Sequence, residues 1–422
     1  MKLRPHAVQF LSLIVCCFGP HTIVYAVDYS WSPTARIGMR ADNNVRGSGS
    51  REEAAWGFEQ GGSVGLIARD ELWQSSLRPH INLRRFAVGK NLDAEEYGVD
   101  LDNQYNSEFW GGGLDFRYAR DSTLSSEATD LGIKNDVTDR DTVSISPNLS
   151  YVLNEETSAR MDFSYTDTTF ARGQQTGFID YSYMQASLQV NRTLSERDSI
   201  FATPFVSNFE SPQINSKTRT YGGQLGYRRI FSPTLEATAT LGFASSTIDF
   251  LDQRPDLNRP VRVFDFATFQ FRTIFPFAET FSNTAATDGM ITSAHMVKKF
   301  ESGKIALDYS RQVSPTARGS QEVSDAIIVS ADRNLSSRWS VGAYGSYVMA
   351  TAESDLRTQN LNRDQSFMQL ACTYRLTEHI SLQSAYSFAY RPGTDFSGSV
   401  GQHGISLYFL YDGGSRSFRG GY

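Results

Sequence analysis

From Thr142 to Leu153 the chain alternates, with only Val152 out of step. Val143, Ile145, Pro147, Leu149, Tyr151 and Leu153 fall in one phase, and Thr142, Ser144, Ser146, Asn148 and Ser150 in the other. Successive side chains of an extended strand point to opposite faces, so a period of two makes a strand with one apolar and one polar face. The pattern returns in Trp110, Leu114, Phe116 and Tyr118 against Gly111, Gly113, Asp115 and Arg117. It returns again from Leu235 to Phe243, and in Met368, Leu370, Cys372, Tyr374 and Leu376 against Gln369, Thr373 and Arg375. A chain made of such strands must shelter one face of each and pair every edge. An antiparallel sheet closed on itself in a membrane does both.

The connections support closure. Tight polar breaks occur at 154–156, 195–197, 232–233, 301–303, 336–338 and 377–379, and longer polar segments lie between them, at 121–140, 172–176, 211–216, 315–320, 353–363 and 391–401. Short and long connections therefore alternate, as they do where all short turns face one side of a membrane and all long loops the other. Toward the N-terminus the same scheme gives strands near Thr34–Ala41, Trp56–Arg69, Trp73–Ala87, Glu95–Gln104 and Ser107–Arg120. The expected fold is an all-β, transmembrane, antiparallel up-and-down barrel of about 18 strands (range about 16–20), an even number that returns both ends to one side. A β-sandwich or solenoid also alternates. Strands of about ten or more residues, the turn asymmetry, and aromatic residues at strand ends (Tyr105, Phe109, Trp110, Phe231, Trp339, Tyr411) favour the barrel.

The first residues read as an export signal: Lys2 and Arg4, an apolar run from Val8 to Phe18, and Val24-Tyr25-Ala26 as a cleavage site. Residues 1–26 are expected to be removed, leaving a barrel over 27–411 and a Gly- and Arg-rich tail over 412–422, which either hangs in the periplasm or lengthens the final strand. Cys16 and Cys17 leave with the signal, so Cys372 is the one remaining thiol and no internal disulfide framework is expected. The full chain holds 40 lysines and arginines against 46 aspartates and glutamates. An acidic balance of this kind argues against nucleic acid as a partner. After the signal no apolar run reaches the roughly 18 residues of a spanning helix. The mean hydropathy of −0.37 is compatible with a membrane barrel, whose alternating strands average to polar. Expected partners are outer-membrane lipid and the barrel assembly machinery, which reads an alternating apolar face in a last strand; Ile405, Leu407, Phe409 and Tyr411 supply one.

Leu77 to Phe86 (LRPHINLRRF), Arg120 to Gly132 (RDSTLSSEATDLG) and Asp141 to Asp167 (DTVSISPNLSYVLNEETSARMDFSYTD) resemble the outer-membrane β-barrel family associated with the PEP-CTERM/exosortase system. The resemblance runs over most of the chain after the signal. Members tend to lie near genes for exopolysaccharide biosynthesis, which implies a role in exporting or anchoring extracellular polysaccharide. The resemblance carries no catalytic or binding residues with it.

No catalytic set, cofactor motif or metal motif emerges from the residues. Gly61-Gly62-Ser63-Val64-Gly65 matches a nucleophile-elbow string, but that chemistry needs a strand-to-helix turn, and Ser63 falls in mid-strand. His80, His295, His379 and His403 are scattered. His403, after Asp395 and Ser399 in what reads as the last loop, is the one candidate base for a barrel hydrolase. More informative is the polar phase of the N-terminal strands, which sends Arg78, His80, Asn82 and Arg84, then Glu96, Asp100 and Asp102, then Asp115 and Arg117 to the lumen. Opposite charges on adjacent strands either brace the wall or set a field across a passage. The remaining inward phase is mainly amides and hydroxyls, among them Gln185, Gln189, Gln224, Gln369 and Gln383, which suits hydroxylated solutes and equally suits plain water.

Leu251 to Thr287 carries Phe264, Phe266, Phe269, Phe271, Phe275, Phe277 and Phe281. It extends two strands or adds a hairpin, folds inward as a constriction, or stacks its rings on sugars. The reading that follows is a non-enzymatic barrel acting as a channel or export conduit. The alternatives are a loop-plugged surface barrel that binds polysaccharide or protein and, remotely, an outer-membrane hydrolase.

Overall fold

The computed structural model describes residues 27–47, 52–88, 92–123, 137–171, 178–255, 261–265, 270–274, 278–315, 321–352, 363–393 and 399–419. The strands of the first half are β1 (Asp28–Asp42), β2 (Ala55–Arg69), β3 (Trp73–Phe86), β4 (Ala94–Asn106), β5 (Trp110–Ser122) and β6 (Asp139–Asn154). They continue with β7 (Thr157–Phe170), β8 (Tyr181–Thr193), β9 (Asp198–Ser211), β10 (Ser216–Ser232) and β11 (Leu235–Pro255). After the short β12 (Val261–Asp265) and β13 (Gln270–Ile274) come β14 (Ala278–Phe300), β15 (Gly303–Pro315), β16 (Gln321–Asn334) and β17 (Trp339–Ala352). The chain ends with β18 (Arg363–Arg375), β19 (Ile380–Arg391), β20 (Val400–Asp412) and β21 (Arg416–Arg419).

Each barrel strand pairs antiparallel with the next, and β20 pairs with β1 from Thr34↔Asp412 to Asp42↔Gly404, so the sheet closes as a ring of 18 strands. Of the two courses open to the segment beyond Tyr411, a hanging tail or a longer final strand, residues 412–419 take the second and rejoin the sheet. β21 continues the last strand along β1, Trp31 opposite Arg416 and Asp28 opposite Arg419. Between the two pairings Gly413–Ser415 oppose only Ser32 and Pro33, which makes a bulge of one residue. Gly414 adopts φ +66° there, a left-handed conformation that suits glycine, and the Gly413 N–H donates to Pro33 O (2.9 Å). β1 is paired from Asp28 on both edges, with β2 and with β21, and so begins earlier than the Thr34 suggested by alternation.

Alternation resolves into an apolar outside. Ile37, Met39, Tyr221, Leu225, Leu241, Phe243, Ile405 and Phe409 are all exposed on the outer face. Aromatic pairs such as Trp110–Tyr151 (ring centroids 4.3 Å apart) and Trp339–Tyr374 (4.6 Å) sit at the short-turn end, where an interfacial girdle belongs.

Five of the short turns share one device. Asp70 Oδ1 accepts from the N–H groups of Leu72 and Trp73 (2.9 and 2.7 Å), and Asn154 Oδ1 from those of Glu156 and Thr157 (3.0 and 2.9 Å). Ser195, Ser336 and Thr377 do the same with their hydroxyls. A side-chain acceptor at the first position satisfies backbone donors that the ladder leaves over, which is why Asx and Ser/Thr residues mark these sites.

The long-loop end is partly packed. Val45, Ala55, Phe86 and Leu92 form a buried cluster against Val137, and Phe170 stacks on Phe178 at 5.1 Å beside Tyr181. β11 and β14 stay in register as far as Pro255↔Ala278, whereas β11 meets β10 only to Lys217↔Asp249. The Phe-rich insertion is thus a two-strand extension of the wall on its flanks. β12 and β13 form a separate ribbon with Phe264 opposite Phe271. Phe266, Phe269, Phe275 and Phe277 lie outside the described residues.

Candidate functional site

The lumen wall of β1 to β5 concentrates the charge. Arg78, Asp100 and Arg117 are in direct register across β3, β4 and β5. Asp100 Oδ2 lies 3.8 Å from Arg78 Nε and 3.6 Å from His80 Nδ1, and its Oδ1 lies 3.7 Å from Arg117 Nε. Both guanidiniums remain mostly in water, 64% and 62% exposed, so these are loose pairs of small individual value. Asp102 and Asp115 face each other in the next row and, with Ser76, Ser144 and Ser146, line a recess of about 390 Å³. Each of these charges is opposite in phase to the exposed Ile81 and Tyr97 of the outer face.

Toward the long-loop end a tighter group spans the closing seam. Arg84 Nη2 donates to both carboxylate oxygens of Glu96 (3.0 and 2.9 Å), and Asn82 Nδ2 donates to Glu96 Oε2 (2.8 Å). Arg36 Nη2 donates to Asn82 Oδ1 (2.9 Å). Arg84 Nε faces Glu59 Oε1 at 3.2 Å without hydrogen-bond geometry, so that contact is Coulombic. Glu59 Oε2 accepts from the Tyr408 hydroxyl at 2.5 Å. Arg84 and Glu59 are 11% and 5% exposed, a buried ion pair held by further hydrogen bonds. Beside it Arg40 Nε donates to Asp42 Oδ2 (2.6 Å), and Gln402 Nε2 to Asp42 Oδ1 (3.2 Å).

Sequence reasoning named Arg78, Arg84, Glu96, Asp100, Asp102, Asp115 and Arg117, and the structure divides them between these two groups. It did not name Arg36, Arg40, Asp42, Glu59 or Tyr408. The signal was there: Arg36, Gly38, Arg40 and Asp42 alternate with Ile37, Met39 and Ala41, and Glu59 shares the phase of Gly57 and Gly61. The glycines dilute the polar phase and conceal it.

Ser63, His80 and Asp100 come near one another but not as a catalytic relay. Ser63 is opposite His80 in register, yet its hydroxyl bonds Thr34 Oγ1 (2.8 Å). The His80 ring lies over Gly98 on the other neighbour, where a Cβ would fall 2.8 Å from Cε1. His403, expected in a loop, is inside β20. There it bonds the Tyr386 hydroxyl through Nδ1 (2.8 Å) and packs on Phe388, because its pairing with that residue places it on the outer face. Asp395 lies outside the described residues. His379 closes a turn on Asp412 O (2.8 Å). Among the described residues no group of three or more His, Cys, Asp or Glu side chains could hold a metal ion.

The sequence matches no family model and no curated protein. Solved structures to which it is similar include OccAB4 of Acinetobacter baumannii, 10% identical, with 93% of this chain and 99% of that one covered at a TM-score of 0.46. OpdL of Pseudomonas aeruginosa is 9% identical, with 93% and 99% covered and a TM-score of 0.44. The ferric-catecholate import receptor Fiu of E. coli is 9% identical, with 93% and 82% covered and a TM-score of 0.43.

Proposed function

We propose that the chain is an integral outer-membrane channel, a non-catalytic passage for hydrophilic solutes, and that by its family resemblance the cargo is extracellular polysaccharide on its way out. The observation that carries the reading is the closed ring of 18 strands with apolar side chains outside and charges, amides and hydroxyls inside. Barrels of about 16–18 strands enclose a water-filled lumen when loops do not fill it. In this reading the short turns face the periplasm, the packed loops face outward, and residues 1–26 are the export signal.

Single-channel conductance of the refolded protein in a planar bilayer tests this. Discrete steps that oligosaccharide interrupts support a conduit. The loop clusters around Val45, Phe86 and Leu92 and around Phe170 and Phe178 favour a second reading, a barrel closed at its outer mouth and used for surface display. A folded barrel that remains electrically silent selects that reading.

A further inference from the structure

We infer that the lumen wall of β17 to β20 holds a saccharide subsite, a recess of about 590 Å³ that receives a pyranose ring. The inference deepens the reading of the lumen as a passage for hydroxylated solutes, and its recess abuts the seam group at Arg40 and Asp42.

Tyr344 and Phe367 form its apolar wall. Tyr344 is opposite Ser330 on one side and Gln369 on the other, and Phe367 is opposite Ser346. Their phase is therefore that of the lumen, the reverse of lipid-facing Val329, Tyr347 and Met368. The two rings lie 5.9 Å apart at 58°. Tyr344 is 37% exposed. A partly bare aromatic face inside a polar lumen costs solvation free energy that a covering ligand recovers.

Amides surround the rings. Gln365, Gln369 and Gln402 line the recess. Gln402 gives its N–H to Asp42, which leaves its carbonyl oxygen directed at other donors. Gln369 makes no hydrogen bond with another described side chain, so both ends of its amide serve a ligand. Arg391 donates to Gly47 O at 3.2 Å, which places Gly47 at the rim of the recess. An aromatic face matches the C–H face of a sugar ring, and side chains that both donate and accept match its hydroxyls. The volume lies within the range of small-molecule sites, about 300–1,000 Å³.

Titration calorimetry of the refolded barrel in detergent, with maltohexaose as ligand and the open-chain polyol sorbitol as control, tests the subsite without requiring conduction. Folding of every variant is checked by its heat-modifiable electrophoretic mobility. Tyr344→Leu and Phe367→Leu keep apolar volume and remove the ring, and each is expected to raise the Kd for maltohexaose about tenfold, the equivalent of about 1.4 kcal/mol. Gln369→Ala is expected to raise it roughly threefold, the effect of one neutral hydrogen bond. Tyr347→Leu, on the lipid side of the same strand, leaves it unchanged. Absence of binding at millimolar maltohexaose, equal binding of sorbitol, or an unaltered Kd in both ring variants overturns the subsite. A protein that conducts yet fails these tests keeps the channel reading, and one that binds maltohexaose yet never conducts loses the channel reading alone.

Discussion

Tyr408, on the last long strand, lies over Gly38 on the first and passes its hydroxyl to Glu59 on the second. The barrel is therefore closed by a side chain spanning three strands as well as by the ladder between β20 and β1. Gly38 makes this possible, because a Cβ there would fall 2.3 Å from Tyr408 Cδ1 and 2.2 Å from Leu407 O. Arg36 lies 5.9 Å from the ring centroid and adds a cation–π contact.

Gly38→Ala and Tyr408→Phe are each expected to weaken the seam, by similar amounts. The first forces backbone apart, a cost of roughly 1–3 kcal/mol by the standard of overpacked cores. The second removes one hydrogen bond to a charged group, about 1.5–3 kcal/mol at most, and spares the ring. Urea unfolding in lipid vesicles measures each; a Gly38→Ala barrel as stable as the wild type would show that the ring is not seated on the seam.

Arg84 holds two carboxylates, Glu59 and Glu96, that are 5% and 14% exposed. Removing only the cation leaves both charges buried, so Arg84→Ala is expected to destabilise by ~3–5 kcal/mol. The triple variant Arg84→Met, Glu59→Gln, Glu96→Gln is expected to recover most of that loss, since it no longer buries charge. Urea midpoints at fixed slope measure both. No recovery in the triple variant would mean that Arg84 acts through packing.

The contrast between these two groups and the rest of the wall explains what the sequence disclosed. Strands such as β6 were legible because Val143 to Leu153 and Ser144 to Ser150 alternate cleanly, and the short turns were legible because Asn154, Ser195, Ser336 and Thr377 must supply a side-chain acceptor. Ring closure beyond Tyr411 was legible only as one of two alternatives. It depends on a one-residue bulge at Gly413–Ser415, which breaks the period on which the reading rests. Lumen partners were half legible. Alternation gives the face of Arg84 but not its register, and only register shows that Glu59 as well as Glu96 is within its reach. Tyr344 and Phe367 were missed because an aromatic residue in a barrel strand is assigned to lipid unless its neighbours' phase says otherwise.

Asp100 is the shared partner of two exposed arginines. Asp100→Asn removes the carboxylate that Arg78 and Arg117 both face, and the proposed channel is expected to shift toward anions. Reversal potentials across a tenfold KCl gradient read this directly. Arg117→Gln should shift them in the opposite sense. Unchanged potentials in both variants would place the conducting path away from this wall.

Asp70 carries the turn between β2 and β3 through bonds of 2.9 and 2.7 Å to the N–H groups of Leu72 and Trp73. Asp70→Ala leaves those donors to water and is expected to cost about 1 kcal/mol, as lost side-chain caps do. Asp70→Asn keeps an acceptor at the same place and is expected to cost less than half as much. The comparison isolates the acceptor from the charge: if Asn is as damaging as Ala, the carboxylate's charge holds the turn, and if both are neutral, the hairpin is fixed by Trp73 and its pairing with Tyr105.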